Sequence, residues 1–305
     1  MANITTEQHN TEHVNHEVTI YAEPIFSVGN FQITNSLITS WLALIIIFAL
    51  ALTIRRKMKK IPGKLQHFFE IIMNGAISLC DQVTNDRKIS VKIFPLIFSL
   101  FLFILISNWL GLVPGLGALG FTLYEAGHAS FVPLFRSGTA DINTTLAFGL
   151  MVVIASNFFG VITVGAWKTF NKYVNLKALG SMVTKVRKDP GVIIVAPITF
   201  FVGLLELIGE MAKVASLSFR LFGNVFAGEV LLVSMSALFA YLVPAPFLFL
   251  EVFVGLIQAL IFSLLAAVYF TIAAQDHDEH EPAHPHDVSG TGGEHEHHDK
   301  EVAHA

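Results

Sequence analysis

The chain has 305 residues, of which 53% are apolar and only 14% are charged, and its mean hydropathy is +0.63. Soluble proteins average about 25% charged residues, so this composition excludes an ordinary soluble enzyme. The single cysteine, Cys80, excludes a disulfide framework and a paired-cysteine metal site, and the formal net charge of −4 hides a strong segregation of charge along the chain.

Five apolar stretches predict the membrane-spanning part of the chain. They cover residues 37–54, 93–119, 142–167, 191–242 and 246–274. Each is close to or longer than the ~18–20 residues that cross a hydrocarbon core as a helix. The fourth stretch is too long for one ordinary crossing, because ~50 helical residues rise ~75 Å, so it must tilt strongly, bend or hold two helices. The predicted fold class is an all-α membrane protein with five to six membrane helices.

The two ends of the chain are polar. Residues 1–24 have little to bury, and residues 276–305 contain eight histidines and nine acidic residues, so both are expected to be disordered. Residues 1–36 contain no Lys or Arg, which argues against a cleaved signal peptide. We therefore divide the chain into a polar N-terminal segment (1–36), a membrane helical domain (37–275) and a histidine-rich acidic tail (276–305). Metal binding by the tail is the alternative to a solvated acidic tail, but its histidines show no fixed ligand spacing, so no metal site is predicted.

Basic residues predict the orientation in the membrane. Nine of them fall between Arg55 and Lys92, and six fall between Lys168 and Lys188. Under the positive-inside rule these two segments, interpreted as loops, are cytoplasmic. The N-terminus is then outside and the C-terminus is cytoplasmic.

Ionisable residues interrupt the last two apolar stretches. They are Glu206, Glu210, Lys213, Arg220, Glu229 and Glu251. A charge at mid-bilayer costs at least ~2.5–3.5 kcal/mol on insertion scales, so such residues usually mark an ion or proton path. For Glu206, Glu210 and Lys213 a second interpretation stays open, namely helix ends in the headgroup zone or mutually neutralising pairs.

The charges in the fourth stretch lie on two faces of one helix. At ~100° per residue, a single polar stripe contains Glu206, Glu210, Lys213, Arg220 and Asn224. Glu229 falls on the side opposite Arg220, so the helix can border two separate wet environments. Small residues surround Arg220 and permit close approach of another helix. An arginine does not release its proton, but it can attract a carboxylate on a partner and force it to ionise.

The run around Arg220, residues 218–229, reads SFRLFGNVFAGE and closely resembles the signature of subunit a of the F-type ATP synthase membrane sector. Other segments agree in order along the chain. They are FPL at 94–96, NWLGLVPG at 108–115, TADINTT at 139–145, Gln258 with Ala259, and Tyr269. The resemblance covers roughly residues 18–275.

This resemblance implies a non-catalytic, proton-translocating stator subunit without a cofactor. Its last two helices would form a long, tilted hairpin against a ring of c subunits, and Arg220 would separate two aqueous half-channels. The resemblance places Asn224, Glu229, Glu251 and Gln258 along these channels. It places Glu206 and Lys213 near the cytoplasmic exit, and Asn108 on the second membrane helix. The implied partners are the c ring, the b-subunit peripheral stalk, the rest of the synthase and the bilayer of a bacterial plasma membrane, with no nucleic acid.

A stand-alone secondary transporter or ion channel is the alternative function, because mid-membrane Glu and Arg also bind substrates. The chain has no internal repeat and no matching pair of broken helices, which argues against it. Asn108 lies inside an apolar helix and needs a partner, so a structural hydrogen bond and a channel-lining role are both open. Asp141 is predicted to cap the helix that follows it.

Overall fold

A computed structural model of the chain describes residues 19–29, 31–58, 63–116, 119–125, 128–167, 169, 192–238 and 243–274. Its helices are α1 (Asn35–Lys57), α2 (Lys64–Thr84), α3 (Arg87–Leu112), α4 (Ile142–Val164), α5 (Val192–Leu238) and α6 (Pro244–Ala274). Strands β1 (Pro24–Val28) and β2 (Phe31–Thr34) form one antiparallel hairpin, and β3 (Gly120–Glu125) and β4 (His128–Pro133) form another. A short 3₁₀ turn, Gly138–Ala140, precedes α4.

Helices α1, α3, α4, α5 and α6 are long and apolar enough to cross a membrane, which confirms the all-α membrane class. In the fourth stretch the structure has one continuous helix, the 47-residue α5. At about 1.5 Å per residue it rises about 70 Å, more than twice the hydrocarbon thickness of a bilayer. The tail 276–305 and most of the basic segment 168–190 lie outside the described residues.

The interpretation of residues 55–92 as a loop is wrong. This segment holds the end of α1, the whole of α2 and the start of α3. Helix α2 is amphipathic. Its Cys80 is buried in the core, whereas the apolar side chains of Phe68 and Ile71 are exposed. The basic residues at both ends of the segment favoured a loop, although the residues between them have the periodicity of an amphipathic helix.

The prediction that residues 1–24 are disordered is also wrong for their described part. Glu23 accepts a hydrogen bond from the backbone of Asn35 at the start of α1, and its own backbone N–H donates to the Asn35 side chain over 3.3 Å. The backbone N–H of Ala22 donates to Asp141 over 3.4 Å. Backbone groups of residues 22 and 23 therefore hold this described part of the segment against the starts of α1 and α4.

Helix α6 forms the centre of the bundle and packs against α2, α3, α4 and α5. The core between these helices is apolar and tightly closed. Its fully buried side chains include Ile104 on α3, Val152 on α4, Leu217 and Leu221 on α5, and Phe262 on α6. Helix α4 begins as expected, because Asp141 accepts hydrogen bonds from the Asn143 backbone (3.2 Å) and the Thr144 hydroxyl (2.9 Å).

Gly160 lets α4 and α6 come into backbone contact. A Cβ atom at this position would lie 2.7 Å from the backbone oxygen of Ala273 and 3.3 Å from its Cβ. A backbone oxygen cannot rotate away as a side chain can, so the two helices would have to separate.

We expect Gly160→Ala to destabilise the bundle by about 1–3 kcal/mol, the usual cost of overpacking. Thermal unfolding of the purified protein in detergent measures the effect as a lower midpoint. Gly75→Ala on α2 is the matched control, because a Cβ there meets nothing within 4 Å. Equal midpoints for the two variants would contradict the close α4–α6 contact.

Candidate functional site

A cavity of about 790 Å³, lined by both apolar and polar residues, lies between α3, α5 and α6. Its polar lining residues are Thr19, Glu23, Asn108, Arg136, Ser137, Asn224, Glu229, Ser236, Glu251 and Gln258. Five of the predicted site residues therefore meet in one space, although α3 is far in sequence from the consecutive helices α5 and α6. A cavity with this many polar groups can hold water.

Asn108 ties α3 to α6 at the cavity wall. Its Nδ2 donates a hydrogen bond to the backbone oxygen of Gly255 over 3.3 Å, and its Oδ1 accepts one from the Thr139 hydroxyl. The indole of Trp109 donates to the backbone oxygen of Val252 over 3.1 Å. Asn108 thus makes structural hydrogen bonds and also lines the cavity, while its channel-lining role stays a prediction.

A second amide pair joins α5 to α6. The Asn224 Nδ2 donates to the Gln258 Oε1 over 2.6 Å. Gln258 is only 2% exposed, and within the described residues its Nε2 has no hydrogen-bond partner. An orphaned buried donor beside a polar cavity is a site for a water molecule. Asn224 is exposed on the outer side of α5, so the amide pair reaches from the cavity to that outer surface.

Glu251 lies against the backbone of α5. Its side chain belongs to the cavity lining, yet the residue is only 9% exposed. A Cβ atom on Gly228 would lie 2.0–2.4 Å from the atoms of the Glu251 carboxyl group. The glycine therefore makes the room in which this carboxyl group sits.

Arg136 is a buried cation in the cavity lining that the sequence analysis did not single out. It is 5% exposed, its Nε and Nη2 donate to both oxygens of Glu229 over 2.9–3.1 Å, and the two residues form an ion pair. Its remaining donors reach the backbone oxygens of Thr19 and Tyr21 and the Thr19 hydroxyl. One signal was available in the sequence, because Arg136 is the only Lys or Arg between residues 93 and 167.

The inner polar residues form a separate cluster on α5, outside the cavity lining. The Lys213 Nζ lies 2.8 Å from the Glu210 Oε1 and 5.5 Å from the centre of the Tyr269 ring. Asn157 on α4 donates to the other Glu210 oxygen over 3.2 Å. For Glu210 and Lys213 the neutralising-pair interpretation therefore holds. Glu206 is half-buried one turn before Glu210.

Arg220 lies on the outer surface of α5 and does not line the cavity. Its Nη2 donates to the Ser216 hydroxyl over 3.3 Å, and within the described part of the chain no carboxylate pairs with it. The exposed residues around it include the small Ala212, Ser216, Gly223 and Ala227, next to the larger Phe219 and Asn224. No described element of this chain covers Gly223, because a Cβ there would meet nothing within 4 Å.

In the described residues, no group of three or more His, Cys, Asp or Glu side chains is arranged to hold a metal ion. The tail histidines, to which the metal-binding alternative applies, lie outside the described residues.

We expect Arg136→Met to destabilise the protein by about 3 kcal/mol, because it leaves the Glu229 carboxylate and two backbone oxygens without their donors. The double variant Arg136→Met with Glu229→Met removes both charges and should lose less than the sum of the two single variants. Unfolding midpoints of all four proteins in detergent give the coupling. Additive losses would mean that the ion pair contributes nothing.

Comparison with known proteins shows the family of the chain. The family described as ATP synthase A chain matches residues 37–271. ATP synthase subunit a of Mycobacterium bovis is 36% identical over 255 residues, which cover 81% of this chain and 89% of that protein. The subunits a of Syntrophobacter fumaroxidans and Geotalea daltonii are each 32% identical, over 82% and 75% of this chain and 88% and 83% of their own lengths. The chain therefore belongs to the ATP synthase A chain family.

Proposed function

We propose that this chain is the stator subunit of a rotary ATP synthase, which loads and unloads protons on the carboxylates of a c-subunit ring. The observation that carries the proposal is the geometry of α5. A polar cavity opens on one side of this helix, a permanent cation lies on its outer surface, and the Asn224–Gln258 pair joins the two.

The cavity is the outer half-channel in this proposal. Glu229 and Glu251 lie nearer the α5–α6 connection, and Gln258 lies two helical turns further along α6. Seven residues of helix rise about 10 Å, so the polar groups extend inward along the helix axis. Water held at the Gln258 amide then carries a proton to the surface beside Asn224, where a ring carboxylate accepts it.

Arg220 keeps the two half-channels apart. A ring carboxylate that passes it is held ionised, and an ionised carboxylate cannot turn into lipid without a large free-energy cost. A proton cannot pass a fixed cation at close range, because the low dielectric strengthens their repulsion. Protons therefore cross only on a carboxylate that has travelled around with the ring.

The inner half-channel begins at the Glu210–Lys213 cluster and includes Glu206. The pairing with Glu210 neutralises Lys213 inside the bundle, and Asn157 fixes the second carboxylate oxygen. Along α5, Lys213 lies about two helical turns from Arg220, and Glu210 and Glu206 lie about three and four turns from it. Each elementary charge that crosses the membrane releases about 2.3 kcal/mol per 100 mV, and several are summed for one ATP.

The remaining assignments follow from the same proposal. Helices α5 and α6 lie as a tilted hairpin along the ring, the b-subunit stalk holds the chain still, and the chain itself carries out no covalent chemistry. The protein spans a bacterial plasma membrane with segment 1–36 outside, domain 37–275 in the bilayer and tail 276–305 in the cytoplasm. The basic ends of α1 and α3 support this orientation.

We expect Arg220→Ala to abolish ATP-driven proton pumping in the reconstituted synthase, and Arg220→Lys to retain little of it, because an ammonium lacks the planar guanidinium geometry. Fluorescence quenching of a pH dye in vesicles measures pumping. Lys88→Ala is the control, since this exposed lysine lies far along the chain from the site. Pumping that persists in Arg220→Ala, or conduction by the chain without a ring, would refute the proposal.

We expect Gly228→Ala to impair pumping at least several-fold, because its Cβ displaces the Glu251 carboxyl group. Adding Glu251→Asp to this variant shortens the acidic side chain by one methylene and should restore part of the rate. The same pumping assay, normalised to the amount of assembled complex, compares the single and double variants. Independent effects of the two substitutions would count against the contact between the α5 backbone and Glu251.

A further inference from the structure

Residues 19–23 lie across the outer part of the polar cavity, before the first membrane helix begins. Thr19 and Glu23 both belong to the cavity lining. These residues come from a segment outside the membrane-spanning stretches, whereas Asn224 and Gln258 lie well inside α5 and α6. The segment therefore brings residues from outside the membrane-spanning stretches into the cavity lining.

This segment is anchored at several points. Arg136 donates to the Thr19 backbone oxygen over 2.6 Å and to the Tyr21 backbone oxygen over 3.1 Å. The backbone N–H of Ala22 donates to the Asp141 carboxylate. Glu23 exchanges two hydrogen bonds with Asn35. These contacts hold residues 19–23 in place as one wall of the cavity. We call these residues the N-terminal strap.

We propose that the N-terminal strap forms the outer mouth of the half-channel and that the Glu23 carboxyl group is the first proton acceptor on the path, ahead of Glu229 and Glu251. This inference rests on the proposed function. Arg136 is a positioning residue in this scheme, because it acts by holding the strap and the Glu229 carboxylate together.

The surroundings of Glu23 suit this role. The Thr19 hydroxyl donates to the Glu23 Oε1 over 3.3 Å, and Arg136 and Glu229 are the charged groups that act on it. Burial raises the pKa of the Glu23 carboxyl above its ordinary value, Arg136 and Thr19 lower it, and Glu229 raises it, with a net upward direction. A raised pKa lets the group take up a proton at a higher pH than an exposed glutamate does.

Glu229 is less suited to be the first acceptor. Its two oxygens both accept hydrogen bonds from the Arg136 guanidinium, so an incoming water molecule must compete with the guanidinium for them. Glu23 lines the same cavity and precedes Glu229 on the proposed path, and Arg136 acts electrostatically on its carboxyl group.

The test uses the complete synthase in vesicles and measures passive proton conduction through the membrane sector while the pH on one side is varied. We expect Glu23→Gln to reduce conduction about tenfold when protons on the outer side are scarce, as loss of a proton-transfer group does. The loss should vanish at acidic outer pH, where protons reach the inner groups directly. Glu23→Asp should restore most of the rate, and pH on the opposite side should not change the ratio between variant and wild type.

Two results would overturn the assignment of Glu23. One is a Glu23→Gln profile that coincides with the wild type at every pH. The other is an equal, pH-independent loss in Glu23→Gln and Glu23→Asp, which indicates a structural role only. Wild type and Arg220→Ala are measured in parallel as a test of the proposed function. If Arg220→Ala behaves as that function requires while the Glu23→Gln profile equals the wild type, only the inference about Glu23 is rejected.

A second arm tests the position of the strap. In a Cys80→Ala background, which removes the single native cysteine, Thr19→Cys is labelled from outside with a bulky, membrane-impermeant thiol reagent. We expect labelling to block conduction. Ser27→Cys on β1 is the matched control, because Ser27 is exposed and does not line the cavity, and its labelling should leave conduction unchanged. Full conduction after complete labelling at Thr19→Cys would show that the strap is not the mouth.

Discussion

A permanent cation on the outer surface of an apolar helix is the constraint on which the rest of this structure depends. Arg220 has a hydroxyl neighbour but no carboxylate partner within the described residues, and the exposed residues around it include several small ones. A guanidinium in that position is unfavourable in contact with lipid, so the bundle is incomplete by itself. A partner that carries a carboxylate and packs closely against small residues removes this cost. The exposed surface around Arg220 is the part of α5 that the proposed function assigns to the ring, whereas Glu210 and Lys213 on the same stripe pair within the chain.

On the opposite side of α5, most polar groups of the described residues are paired within the chain, and the Gln258 Nε2 is an exception. Amides on α3, α5 and α6 bond to each other or to backbone oxygens, and Arg136 neutralises Glu229. These contacts hold the walls of a wet cavity at fixed positions, while the orphaned amide of Gln258 leaves one donor for water. A proton path requires side chains held at fixed positions around a space that water can enter, and this cavity has both features.

Much of this architecture could be predicted from local sequence signals. Apolar length predicted α1, α4 and α6 to within about three residues, whereas the stretch predicted for α3 begins six residues late and ends seven residues late. The helical wheel placed Arg220 and Glu229 on opposite sides of α5. Helix α2 was missed because its signal is amphipathic rather than uniformly apolar. Arg136 and the N-terminal strap were missed for a different reason. Their contacts join residues 93 to 117 positions apart, and no period or spacing in a single sequence reports such pairs.

The most direct test of the central claim is an electron cryo-microscopy map of the assembled synthase at a resolution that shows side chains. The account predicts that the Arg220 guanidinium points away from its own bundle and lies within about 4 Å of a ring carboxylate, or of a water molecule that bridges to one. A map in which Arg220 points into lipid, or folds back onto a carboxylate of its own chain, would contradict the account.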